Sequence, residues 1–243
     1  MLRSLLGEPP RKNEGLFADT LEAMERTAGL FRNAMDMHLE QKQDYFKLQV
    51  WTYGLISSID ELEQCTYAAA FFRRAVHTRL MNDMGSEEKG DYARYVYFYK
   101  DGFIRVFSLL DKLGTLLNEL YELNTAKVKP HYSYFTVLRQ FQYLKVHRDL
   151  GNKLTSIYEG RKDYVSRLRR RRNMEIHYMN AEMQDDLWHK HQAMQGRLEV
   201  ENLDEHLADL TESYQMVLES LHTAFKYTLF YISNQSNRNN MQK

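Results

Sequence analysis

The sequence predicts an all-α protein: an up-and-down helical bundle with an extra N-terminal helix and additional short helices. Three observations carry that expectation. Only three prolines occur (Pro9, Pro10 and Pro130), and the glycines never cluster. No hairpin dipeptide stands between alternating β-branched residues. Apolar residues instead recur at steps of three and four over long stretches, the period of a helix that buries one face. With 43% of 243 residues apolar, the chain has material for a substantial core.

Taken in order, residues 1–13 read as a flexible lead ended by Pro9 and Pro10. A first helix is expected from about Glu14 to His38, with a seam of Phe17, Leu21, Met24, Ala28, Phe31, Met35 and His38. A second spans about Gln41 to Leu80 along Leu48, Trp51, Leu55, Ile59, Leu62, Thr66, Ala69, Phe72 and Val76, with a bend near Gly54. Asn82 to Asp91, holding Gly85 and Gly90, reads as a loop. A third helix, Tyr92 to Leu123, carries Tyr95, Val96, Tyr99, Phe103, Val106, Phe107, Leu110, Leu113, Leu117 and Leu120. Asn124 to Tyr134 reads as a connection around Pro130. Phe135 to Leu150 reads as a short helix or irregular cover, with Gly151 as a terminator. A basic helix follows over Arg161 to Met179, then a polar stretch with Trp188. A last helix, about Leu203 to Asn234, is seamed by Leu207, Leu210, Tyr214, Val217, Leu221, Ala224 and Phe225. No linker is long enough to separate two domains, so one helical domain is expected over 14–233. Residues 234–243 form a polar tail expected to be disordered.

Charge and composition narrow the function classes. The formal net charge is zero, so no global field favours a polyanion. Locally, Arg161 to Asn173 holds seven Lys or Arg and one Asp. The single cysteine, Cys65, rules out an internal disulfide and fits a reducing compartment. The N-terminal residues lack the apolar core of a signal peptide, and no run of about 18 apolar residues exists to span a membrane. A cytoplasmic protein is expected. His189 and His191 form an H-x-H pair, but no Cys or closely spaced carboxylate completes a metal set, and no metal or cofactor is assigned. Phosphate-cradling glycine loops and nucleophile elbows are absent.

The basic helix carries the most specific signal. Its apolar residues fall at Val165, Leu168, Ile176 and Met179, and the position between them is Arg172. A guanidinium on an apolar stripe requires compensation, for which Glu175, Asp111 and Asp185-Asp186 are the candidate partners. Ser166, Arg170, Asn173, His177 and Asn180 form a polar face, on which Asn173 and His177 are neighbours four apart. Arg172 and His177 project roughly 140° apart around the helix. One helix therefore assembles a compact site poorly by itself.

Arg172-Asn173-Met174-Glu175-Ile176-His177 resembles the Arg-polar-x3-His signature of the HEPN superfamily (higher eukaryotes and prokaryotes nucleotide-binding domains). The segment from Arg105 to Leu123 resembles helices of stand-alone bacterial HEPN proteins, extending the likeness to roughly Tyr45 through Asn180. The resemblance implies a helical bundle of HEPN type. It also implies a homodimer whose two motifs meet, and metal-independent cleavage of RNA through its 2′-OH to a 2′,3′-cyclic phosphate. Arg172, Asn173 and His177 would be catalytic, with Arg169, Arg170 and Arg171 contacting the RNA backbone. A non-catalytic helical module binding a nucleotide or partner is the alternative, since the superfamily contains such members. Superfamily toxins paired with a nucleotidyltransferase often carry Tyr two places after the His; that place here is Met179, with Tyr178 adjacent.

Overall fold

The computed structural model describes residues 2–36, 44–177 and 199–241. Among the described residues eight α-helices follow in order: α1 (Leu2–Leu5), α2 (Gly15–Asp36), α3 (Tyr45–Arg73), α4 (Ser86–Leu120), α5 (Tyr134–Leu144), α6 (Arg148–Glu159), α7 (Lys162–His177) and α8 (Leu203–Met241). Among the described residues there is no strand, only an isolated bridge between Leu80 and Glu199. The all-α expectation holds. Contacts divide the chain into two compact units, where the sequence predicts one domain over 14–233. The first comprises Met1–Arg11, Glu61–Phe107 and Arg161–Tyr214, and the second Lys12–Asp60, Ser108–Gly160 and Gln215–Lys243. The long helices α3, α4 and α8 supply one stretch to each unit.

The first unit gathers around Tyr95, Tyr99, Phe103 and Val106 of α4, all buried. Leu62, Ala69 and Phe72 of α3 join them, as do Val165 and Leu168 of α7 and Leu210 of α8. A Cβ on Gly102 would lie 3.0 Å from Leu210 Cδ2, so α4 and α8 approach closely there. The expected flexible lead is tied down. Arg3 and Arg11 both bond the Glu63 carboxylate, and the Arg3 guanidinium lies 3.8 Å from the Tyr67 ring centroid. The Cys65 thiol donates to Asp101 Oδ2 at 2.9 Å, and burial with that carboxylate pushes its pKa up to about 12. Helix α3 ends at Arg73, short of the expected Leu80, and α4 begins at Ser86 inside the expected loop. Glu88, in the first turn of α4, accepts bonds from the backbone amides of His77 and Thr78, which fixes this corner.

In the second unit, Met24 and Phe31 of α2, Leu48, Leu55 and Ile59 of α3, and Leu110, Leu113 and Leu117 of α4 are buried. Val217, Leu221 and Phe225 of α8 complete the core. Helix α3 runs through Gly54 without interruption. The stretch expected as one short helix or cover forms two, α5 and α6. Ser133 and Thr136 close a capping box at the start of α5, where Asp111 Oδ1 accepts the Tyr134 amide at 2.9 Å. Gly151 is no terminator. It lies inside α6, and a Cβ there would meet Phe141 Cβ at 2.9 Å, so glycine lets α6 press against α5. The backbone of α8 continues to Met241, into the residues expected as a disordered tail.

Candidate functional site

Helix α7 is stapled along both flanks within the first unit. Toward α8, Arg161 Nε pairs with Glu212 at 3.2 Å. Arg167 then makes a forked contact to Asp209, with Nε to Oδ1 at 3.0 Å and Nη2 to Oδ1 at 2.7 Å. Arg171 bonds the second oxygen of the same carboxylate. Glu205 stands 3.3 Å from Arg167, adding a second negative charge. Asp209 is completely buried, and its oxygens are satisfied by the Arg167 fork and a single bond from Arg171, charge-assisted bonds of the strong kind. The carboxylates hold both guanidinium pKa values above the ordinary one: Asp209 bonding leads at Arg167, while at Arg171 burial opposes but is outweighed.

His206 lies one turn before Asp209, buried, with its ring stacked 5.4 Å from that of Tyr99. Its Nε2 lies 3.1 Å from Glu201 Oε2, and its Nδ1 is buried without a hydrogen-bond partner. Burial and the neighbouring Arg171 bring its pKa down to about 4, against the weaker opposing pull of Asp209. The imidazole is therefore neutral at pH 7. Burial likewise raises the Tyr99 hydroxyl, with Arg171 opposing.

The flank of α7 toward α4 differs. Glu175, one proposed compensator of Arg172, pairs with Lys100 at 2.9 Å, and Asp111 bonds the Tyr134 amide in the other unit. Asp185-Asp186 lie outside the described residues. Arg172 instead sets its guanidinium over the Phe107 ring, 4.9 Å from the centroid, and its Nε is buried without a hydrogen-bond partner. No carboxylate among the described residues pairs with it. Cation–π attraction to Phe107 is the compensation.

Of the other residues singled out, Asn173 and Arg170 are exposed. Arg169 lies over the same Phe107 ring at 5.8 Å. Arg171 reaches inward to Asp209, away from the steering role expected of it. His177 is the last residue of α7, and its side chain lies outside the described ones, as do Met179, Asn180, Trp188, His189 and His191. The apolar stripe is shorter than expected: Val165 and Leu168 are buried, but Ile176 is 50% exposed and Met174 44%. Nothing in the sequence marks Asp209, His206, Glu205 or Lys100 as part of a site, and Phe107 is expected only as a seam residue of the third helix. The signal for His206 and Asp209 is their spacing with Ser213, which is helical but polar and so invisible to a search for apolar seams. Among the described residues no group of three potential ligands could hold a metal.

A family model described as HEPN_Cthe2314-like HEPN matches residues 51–229, well over half of the chain and including all of α7. Curated proteins and solved structures return no match.

Proposed function

Because the chain belongs to the Cthe2314-like HEPN family, we propose that it is a metal-independent endoribonuclease acting as a homodimer. The observation that supports this most is Arg172. A half-buried guanidinium with no carboxylate partner among the described residues, one residue from the exposed Asn173, is a cation whose charge is available to an anionic ligand. RNA brings its own nucleophile, so the protein has only to move protons and stabilise charge. His177 takes the 2′-OH proton, the oxygen attacks the adjacent phosphorus, and the 5′-oxygen leaves as it gains a proton. The products end in a 2′,3′-cyclic phosphate and a 5′-OH. Arg172 stabilises charge on the non-bridging oxygens, and Asn173 orients the phosphate.

Arg170 meets the RNA backbone directly, while Arg169 and Arg171 add positive potential from their seats over Phe107 and on Asp209. Exposed Met174 and Ile176 beside Asn173 supply apolar contact for a two-fold partner, whose His177 is the second proton carrier. The mechanism assigns no role to a metal. A cytoplasmic setting fits an RNA substrate and a lone thiol.

Incubation with labelled RNA in EDTA tests this reading. Cleavage to cyclic phosphate ends is expected, reduced about 100-fold or more in His177→Ala and Arg172→Ala. Cleavage that vanishes with chelator and returns with a divalent ion overturns the mechanism. Equal inertness of wild type and His177→Ala on many RNAs, or a monomer in sedimentation at micromolar concentration, points instead to a non-catalytic binding module.

A further inference from the structure

The second unit carries a surface that the motif does not use. At the turn from α5 to α6, Tyr143 is 78% exposed, and Leu144, Lys145, Val146 and Arg148 are exposed around it. Arg139 is also exposed, one turn before Tyr143 on the same face of α5. From Arg139 to Lys153 the sequence has four Lys or Arg (Arg139, Lys145, Arg148 and Lys153) and one acid, Asp149.

The turn is rigidly held. Lys145 and His147 both adopt left-handed backbone, φ 56° and 44°, which non-glycine residues keep only where packing dictates it. His147 supplies that packing. Its ring lies 4.3 Å from that of Tyr121 and 5.0 Å from that of Tyr231, and its Nδ1 is 3.0 Å from the Tyr227 hydroxyl. The same contacts set the turn against α8, where Phe230 is 68% exposed and Lys226 is exposed one turn before it.

We propose that Arg139, Tyr143, Lys145 and Arg148, with Lys226 and Phe230, form a docking surface for single-stranded RNA. Unstacked bases need exposed aromatic faces, and the backbone needs dispersed positive charge; both are present on a surface ordered before any ligand arrives. A backbone held in advance by packing loses little freedom on binding. Double-stranded RNA offers no free base faces to Tyr143 and Phe230, so the preference is for single strands. This rests on the RNA reading of the preceding subsection but does not require the chemistry at His177.

The test uses the full chain carrying His177→Ala, which binds without cutting, and a short fluorescein-labelled oligouridylate. Tyr143→Ala and Phe230→Ala are each expected to weaken binding about tenfold. Replacing Arg139, Lys145 and Arg148 together by Gln should lower the salt slope by about two. All five positions are on the surface, so the fold survives, and circular dichroism checks that it does. Unchanged affinity in these variants overturns the proposal, even if the wild type cleaves RNA. Weakened affinity upholds it, even if no RNA is cleaved. Loss of binding to phosphatidylserine vesicles with no change in RNA affinity would identify a membrane-facing surface and overturn it equally.

Discussion

Arg171 and Arg172 are adjacent in sequence on α7, yet the protein treats them in opposite ways. Arg171 turns to α8 and meets a completely buried carboxylate already gripped by Arg167. Arg172 turns to α4 and meets a phenyl ring, with one nitrogen buried and unbonded. The first arrangement is a structural clamp whose members depend on each other. The second leaves a charge only partly satisfied, a state better suited to a ligand than to stability. Neighbouring identical residues thus acquire separate roles through the helices they face.

The comparison breaks most visibly at Asp209. Asp209→Ala removes the acceptor for two guanidiniums and leaves Arg171 half-buried, so it should cost about 3–5 kcal/mol. Urea midpoints of the variant and wild type measure it, and a loss under 1 kcal/mol would mean that the clamp is dispensable.

A smaller effect, roughly 3 kcal/mol, is expected from His206 on acidification. Its folded pKa of about 4 lies below the ordinary 6.5, so the unfolded chain binds the proton first. The contribution is whole above pH 6.5, declines between 6.5 and 4, and is lost below. Stability measured at intervals over that window should slope downward in the wild type and less steeply in His206→Phe. Equal slopes would remove His206 from the account.

The smallest effect sharpens the contrast. Arg172→Leu restores the apolar stripe of Val165 and Leu168, so the unfolding free energy from urea denaturation should hold or rise by up to about 1 kcal/mol. Cleavage should nonetheless disappear. Destabilisation as large as that of Asp209→Ala would show that Arg172 is a second clamp.

Much of the fold was legible because most of the interior is apolar. All ten seam residues read in α4 are buried, from Tyr95 to Leu120, and the periodicity of α2 and of the second half of α8 is correct in phase. The first half of α8 departs from its expected seam for a physical reason. There Leu207 and Tyr214 are only half-buried, while His206, Asp209 and Ser213 face inward. Hydropathy cannot reveal a buried polar face whose partners come from another helix, because the compensating bonds are long-range.

The same limit governs the site. Arg172 stands out in the sequence because it occupies the stripe position after Val165 and Leu168. The ring that holds it belongs to α4, 65 residues away, and Phe107 resembles any other seam residue. Gly151 differs from expectation because sequence alone does not separate a glycine needed for close approach from one that ends a helix. Spacing alone predicts Ile176 in the core, whereas it is exposed.

The change of character along the buried face of α8 reaches into calorimetry. Apolar surface raises the heat capacity when unfolding exposes it to water, by about 0.45 cal/mol/K per Å², and polar surface lowers it by about 0.26. The stretch with His206, Asp209 and Ser213 therefore adds less curvature to the temperature dependence of stability than the stretch with Val217, Leu221 and Phe225. Cooling weakens hydrophobic burial first, so within this one helix the second half is the more sensitive to cold, and the half that clamps α7 is the better insulated from it.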